Sequence, residues 1–260
     1  MPVMNAVEYQ TLAEVEDQHW WCLAQREIFE LLLNTYVKSP YSEYILDVGC
    51  GTGGHLRWLR KCRPQAQLCG LDISATAAAH AARRQPDATI LTGSIEEPPT
   101  SLPPQLSLIL CCDVLYSVAD QTTALKGLQM LCQRLMPGGL LLLHEPAMPW
   151  LSSRHDRRTG GCRRYSRLQL AKLLQALDLQ TLFLSYRMCM LLPLLLLQRL
   201  PSIISHSSTD NTRSRSALHL PPQLLNRLLL TVTRLELSLL RIGVRPPWGS
   251  SLIAVGRKAC

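Results

Sequence analysis

The stretch from Tyr44 to Gly54, YILDVGCGTGG, limits what this chain can fold into more than any other. A strand-length apolar run, Tyr44 to Val48, passes directly into a loop with glycines at 49, 51, 53 and 54. The loop then opens the helix-patterned HLRWLRKCR. Glycines there allow a sharp turn and let a ligand lie against bare backbone N–H groups at a helix start. Strand, loop and helix in that order open a parallel α/β sheet, whose ligands sit at the carboxyl ends of the strands.

The loop alone does not name its ligand. Gly49, Gly51 and Gly54 satisfy the G-x-G-x-x-G spacing of dinucleotide-binding proteins. Asp47, inside the strand end, argues against a pyrophosphate and suits a ligand with a cationic ammonium group. A second acid, Asp72, ends the apolar run QLCGLD and reaches the tip of the next strand, where it can accept ribose hydroxyls. An ammonium partner and a ribose partner without a phosphate suggest S-adenosylmethionine.

ILDVGCGTG resembles the first motif of class I S-adenosylmethionine-dependent methyltransferases. CCDVLYSV resembles that family's fourth strand and turn, LMPGGLLLLHEP its fifth strand, and PPWGSSLIAVGRK its closing seventh strand. The likeness runs from about residue 15 to the end. A narrower resemblance is to bacterial members with a His-Trp-Trp-like first helix and an HD…RRY segment, often encoded beside glycan, lipid or secondary-metabolite genes. It implies a Rossmann-like α/β fold: a seven-stranded, mostly parallel sheet with helices on both faces, strand seven antiparallel near the edge, and a helical cap. The divisions are an N-terminal helical segment (1–40), a cofactor-binding core (41–150), and a basic acceptor and cap region with the last two strands (151–260). The implied cofactor residues are Asp47, Gly49, Cys50, Gly51 and Gly53, then Asp72 and Ile73, Ser94 and Ile95, and Asp113. Two departures stand out. Ser94 and Ile95 occupy the turn where the family places an acid for the adenine, and Ser107 replaces an acid near the start of strand four.

Residues 6 to 37 carry apolar positions at three- and four-residue steps, a helical pattern. Within it Trp20 and Trp21 either cap the cofactor pocket, wall the acceptor site, or pack on the core. Strands are expected at 67–72, 88–91, 106–112, 140–144, 180–186 and 252–255, with helices at 54–63, from Ser74, at 121–136, from Ser166 to about 177, and after Pro222. Asp113 either touches the ligand or caps the next helix, and Tyr116 belongs to the same turn.

Charge is divided sharply. Residues 1–150 hold 10 Lys+Arg and 15 Asp+Glu, a balance of −5; residues 151–260 hold 17 and 4, a balance of +13. Such asymmetry marks a surface for an anionic partner: a phosphate, a nucleic acid or a lipid headgroup. Arg154, Arg157, Arg158, Arg163, Arg164 and Arg167 crowd residues 146–168, and Arg163 and Arg164 are candidates to hold an anionic acceptor by forked contacts. His155 is the first candidate general base, because its pKa lies near neutrality, and His144 is the second; Tyr165 either hydrogen-bonds the acceptor, closes over the sulfonium, or packs in the core. Cys162 stands where the narrower group commonly has His.

After strand six, MCMLLPLLLLQRLPSII is too short to cross a bilayer. It reads either as a buried cap over an apolar acceptor tail or as a segment dipping into a membrane surface. Serine-rich residues 202–216 read as mobile. Ten cysteines with no C-x-x-C pair speak for buried thiols in a reducing compartment rather than a metal site. With MPVMNAVEYQ lacking a signal-peptide pattern, a cytoplasmic location or one on the inner membrane face is expected.

The leading expectation is therefore an S-adenosylmethionine-dependent methyltransferase acting on a small or lipid- or glycan-linked acceptor, most readily at oxygen. A nucleic-acid methyltransferase and a non-catalytic binding protein of the same fold are the alternatives, with a nicotinamide oxidoreductase more distant. No nucleic-acid recognition motif is found to support the first alternative.

Overall fold

The structure is a computed structural model describing residues 6–37, 44–152, 156, 161–197 and 219–259. Seven strands form one sheet in the order β3-β2-β1-β4-β5-β7-β6. The strands are β1 (Tyr44–Val48), β2 (Gln67–Asp72), β3 (Thr89–Thr92), β4 (Leu106–Cys112), β5 (Leu135–Pro146), β6 (Leu179–Arg187) and β7 (Ser251–Lys258). The first five run parallel, and β7 inserts antiparallel between β5 and β6. The helices are α1 (Ala6–Val15), α2 (Trp20–Tyr36), α3 (Gly54–Cys62), α4 (Ala75–Arg84), α5 (Gln121–Gln133), α6 (Arg167–Ala176) and α7 (Gln223–Arg241). This is the doubly wound arrangement implied by the sequence.

Period-two alternation divides the core in two. Leu46, Val48, Ile109, Cys111, Leu141, Leu143, Leu252 and Ala254 point to one face, where α5 and α6 bring Leu128, Leu131, Leu170 and Leu174. Ile45, Leu108, Leu110, Leu140, Leu142, Ile253 and Val255 point to the other, covered by α2, α3 and α7 through Ile28, Phe29, Leu56, Leu59, Leu237 and Leu240. Strands covered on both faces read as near-continuous apolar runs, which made them visible in the sequence.

Helix starts follow local chemistry. Ser74 caps α4 by accepting from the Ala77 N–H, and Asp120 caps α5 from Thr122 and Thr123. Ser166 and Gln169 form a reciprocal capping box on α6. The stop after α5 comes earlier than the sequence pattern suggests. The helix ends at Gln133, and β5 begins at Leu135 with a register shift opposite Leu106 and Leu108. Gly138, at φ 76°, lets the strand absorb the Met-Pro-Gly-Gly turn rather than start after it.

Chain order turns back between β1 and β4. β2 and β3 extend the sheet to one side of β1, whereas β4 joins its other side. The crevice at such a reversal is where open α/β sheets bind ligands.

Candidate active site

A cavity of about 590 Å³ opens at that reversal, over the carboxyl ends of β1, β2 and β4. Its floor includes Val48, Gly49, Cys50, Gly51, Asp72, Ile73, Ser94, Ile95 and Asp113. A second set of walls comes from elements remote in sequence: Tyr9 of α1, Trp20, Trp21, Gln25 and Arg26 of α2, the 188–195 stretch, and Leu229 of α7.

The glycine loop is held as a cradle. The N–H groups of Gly49 and Cys50 both donate to the Leu71 carbonyl, at 2.7 and 3.1 Å. The Gly51 N–H donates to Asp72 Oδ2 at 2.8 Å, while Asp72 Oδ1 accepts from Ser74 N–H at 2.8 Å. Gly49 has φ 70°, and a Cβ there would lie 2.3 Å from Val114 Cγ2. Gly51 also has positive φ, but a Cβ there would meet nothing within 4 Å, so this residue faces open space. Gly53 serves differently. It caps α3 in the left-handed region, packs against Ala81 of α4, and does not line the cavity.

Asp47 lies one layer below the floor rather than on it. Its carboxylate is fully buried, neither oxygen has a hydrogen-bond partner, and the nearest base, His55 Nδ1, is 4.0 Å away. Burial, followed by the negative charge of Asp72, pushes its pKa up to about 8. His55 does line the cavity, and burial, followed by Arg26, pushes its pKa down to about 3. A buried acid without a donor beside a glycine cradle fits a cationic ligand group. Asp72 is also pushed up by burial, opposed by its two N–H donors, and its edge position suits a diol. These residues fit S-adenosylmethionine. Arg26 adds a feature that spacing did not reveal: it lines the cavity, it is buried, and its Nε has no partner. A polar Gln25-Arg26 pair inside an otherwise apolar helix face was the available signal.

The turn after β4 is built by a residue the sequence marked only as a neighbour of His144. Glu145, fully buried, accepts from the N–H groups of Val114, Leu115 and Tyr116 at 3.3, 2.9 and 3.0 Å. This fixes Asp113, at φ 55°, on the wall. Gln25 Nε2 donates to Asp113 Oδ2 at 2.9 Å and lies 3.1 Å from His144 Nδ1. Ser107, in place of the expected acid, donates to the Tyr44 carbonyl at 3.0 Å and so ties β4 to the start of β1. In the adenine turn, Ser94 Oγ accepts from the Glu96 N–H at 3.1 Å, an internal turn contact.

The α1–α2 turn is clamped to the core by ions. Glu16 binds Arg84 and accepts from Thr52 Oγ1 at 2.9 Å, and its Oε2 occupies the space a Cβ on Gly54 would need. Asp17 pairs with Arg26, Arg57 and Arg84. Only glycine at 54 admits this acid to the start of α3.

Several expected acceptor residues lie elsewhere. Tyr165 is buried off the wall, donating to the Leu115 carbonyl at 3.3 Å, with its pKa pushed up chiefly by burial. His144 is nearly inaccessible, packed edge-on against Trp21 and Phe29 and enclosed by Gln25 and Asp113. Arg163 donates to the Ala119 carbonyl and is absent from the wall. Arg164 does reach the wall, but its fork is closed on Asp156 at 2.7 and 2.8 Å, and its remaining amino group contacts the Ala147 and Ser250 carbonyls. These two arginines brace the segment. His155, Arg154, Arg157 and Arg158 lie outside the described residues, as does 202–216. Trp20, Trp21 and Tyr116 do line the cavity.

Fold, cradle and buried acids together define a class I S-adenosylmethionine-dependent methyltransferase. The chain belongs to the methyltransferase-domain family, whose family model matches residues 20–183. It is 35% identical over 124 residues to a trans-aconitate 2-methyltransferase of Pseudomonas paraeruginosa, covering 48% of this chain and 42% of that protein. It is 31% identical over 126 residues to a dTDP-3-amino-3,6-dideoxy-alpha-D-glucopyranose N,N-dimethyltransferase of Streptomyces fradiae, covering 48% and 46%. The chain thus matches less than half the length of these curated relatives. Its fold is similar to that of the plantazolicin methyltransferase BpumL solved with S-adenosylhomocysteine, at TM-score 0.58 and 17% identity over 97% of this chain and 89% of that one.

Proposed function

We propose that the protein transfers a methyl group from S-adenosylmethionine to a small-molecule or lipid- or glycan-linked acceptor, at oxygen. The observation that carries this reading is the two-sided cavity. Its floor suits a sulfonium nucleoside, and its opposite wall is aromatic and aliphatic, formed by Trp20, Trp21, Met188, Leu191, Leu195 and Leu229. A wall of that kind suits an acceptor with an apolar portion, with specificity left to a few polar groups.

When bound, S-adenosylmethionine supplies a methyl already activated by its positive sulfur. The residues contribute alignment, which accounts for most of the acceleration in such a transfer. Asp113 lies on the cavity wall, and Gln25 holds one of its oxygens. It can accept the proton an acceptor hydroxyl loses. His155 remains a second candidate for that proton.

An amine acceptor is the runner-up, favoured by the carboxylates of Asp113 and Glu16 on the wall and by the N,N-dimethyltransferase relative. Calorimetry with S-adenosylmethionine, followed by an acceptor screen with a labelled methyl donor, tests the proposal. Saturable heat and label in an alcohol-bearing product are expected. Label in amines moves the reading to nitrogen, and absence of heat with donor and demethylated product removes it.

A further inference from the structure

The α7 helix has two apolar faces, and only one of them is used. Leu230, Thr233, Leu237 and Leu240 pack inward. Opposite them Leu224, Leu228, Leu235 and Leu239 are 82, 58, 55 and 38% exposed, and Ile242, just past the helix end, is 77% exposed. At 3.6 residues per turn these five fall on one narrow outward ridge. Arg227, Arg234 and Arg241, all exposed and seven residues apart, run along one flank of it; Arg234 is paired with Glu27 of α2, which leaves Arg227 and Arg241 as the cations the ridge offers. The single acid of α7, Glu236, is buried on the inward side, where it holds Arg187 and the N–H groups of Met188 and Cys189. In the chain segments before and after α7, Met190, Leu194, Leu197, Leu220, Val244 and Trp248 are exposed as well.

We infer that this ridge seats the protein on an anionic lipid bilayer, with α7 lying in the interface plane. Among the described residues no helix is long and apolar enough to cross a membrane. An apolar stripe with cations at its edge and no exposed acid of its own is the pattern of an interfacial helix. Charge selects this occupant over a second copy of the chain. Ridge-to-ridge pairing would cover the leucines but would bring cationic flanks together with no acid of α7 to meet them, whereas anionic headgroups satisfy both features. The inference does not depend on methyl transfer.

The test is cosedimentation of the full chain with phosphatidylcholine vesicles, with or without about one-third phosphatidylglycerol. Binding is expected to the anionic vesicles, to weaken with salt, and to drop roughly tenfold in Leu228→Asp/Leu235→Asp. Charge reversal at Arg227 or Arg241 is expected to cost about fivefold each or more. The leucine variant should keep its melting temperature and its heat with S-adenosylmethionine, because neither residue lines the cavity. Three results overturn the inference. One is failure to bind anionic vesicles, or binding that the leucine variant leaves intact. Another is a concentration-dependent dimer in solution that the same variant dissociates, which assigns the ridge to a second copy. The third is a lowered melting temperature with unchanged vesicle binding, which assigns it to the chain's own residues 198–218.

Discussion

The floor and the cap of the cavity are built on different principles. The floor comes from a short stretch, and its shape is set by backbone: glycine φ angles, N–H groups shared between loop and β2, and two buried acids. The cap comes from α1, α2, the 188–195 stretch and α7, and its shape is set by side chains that meet across more than 200 positions, as when the Trp20 N–H donates to Asn226 Oδ1. A backbone site tolerates almost no change at its glycines. A side-chain site can be retuned for a new guest without disturbing the fold. The same contrast appears in the relatives, which share methyl transfer and differ in the acceptor their names give.

The largest difference should come from Gly49→Val. The new side chain meets Val114 at 2.3 Å from its first atom, at a φ of 70°. Left-handed backbone costs ~1–2 kcal/mol and overpacking ~1–3 kcal/mol, so calorimetric binding of S-adenosylmethionine should fall by at least ~30-fold and the melting temperature should drop. Gly51→Ala, at φ 53° but with open space around its Cβ, carries only the left-handed cost of ~1–2 kcal/mol, so it should melt closer to the parent than Gly49→Val while still losing binding. Equal melting losses in the two variants would break the distinction drawn between them.

Next in size is Arg164→Ala. Removing Arg164 breaks its buried pair with Asp156 and strips the Ala147 and Ser250 carbonyls of their donor, at a cost of about 3–5 kcal/mol of stability. Denaturant unfolding should show this even without acceptor. If Arg164 instead bound an acceptor anion, the variant would melt normally and lose only acceptor affinity.

On the cap, Trp21→Ala should raise the acceptor KM by about 10-fold, an interface-sized aromatic loss, with the S-adenosylmethionine Kd within about twofold of the parent. A matching loss of donor affinity would show that Trp21 belongs to the floor.

The division also explains what the sequence disclosed. Strands β1, β2 and β4 begin and end where apolar runs do, because burial on both faces leaves no polar alternation to blur them. Asp72 was legible from its place at a strand tip. Asp47 was legible as an acid but not as a buried one, since a strand-end position does not say how deep a side chain lies. Glu16, Gln25 and Glu145 escaped because each gains its meaning from a residue 30 or more positions away: Thr52 for Glu16, Asp113 for Gln25, and Leu115 for Glu145. The contacts of Arg163 and Arg164 escaped for the same reason, as composition records their charge but not the Asp156 carboxylate and the carbonyls they bind.

The finest test concerns one proton. In the ligand-free protein Asp47 has its pKa raised from 3.8 to about 8. The folded state then holds a proton that the unfolded state has lost, so this group's contribution to stability is present below about pH 4 and disappears as pH rises to about 8. His55, lowered from 6.5 to about 3, acts in the opposite sense: the unfolded state takes a proton the folded state refuses, so stability rises with pH between about 3 and 6.5. The two slopes oppose each other in mildly acidic solution; above about pH 6.5 His55 no longer offsets Asp47, and Glu145, also pushed up by burial, acts in the same sense as Asp47. The ligand-free melting temperature should therefore decline from about pH 6.5 to 8, and Asp47→Asn should make that decline shallower. A cationic ammonium beside Asp47 favours the ionised acid, so binding at pH 7 should release close to one proton. Calorimetry in two buffers of different ionisation enthalpy reads that proton directly. A heat independent of buffer in the parent protein would show that Asp47 stays protonated beneath the bound ligand, and the floor would then hold its guest by peptide N–H groups and Asp72 alone.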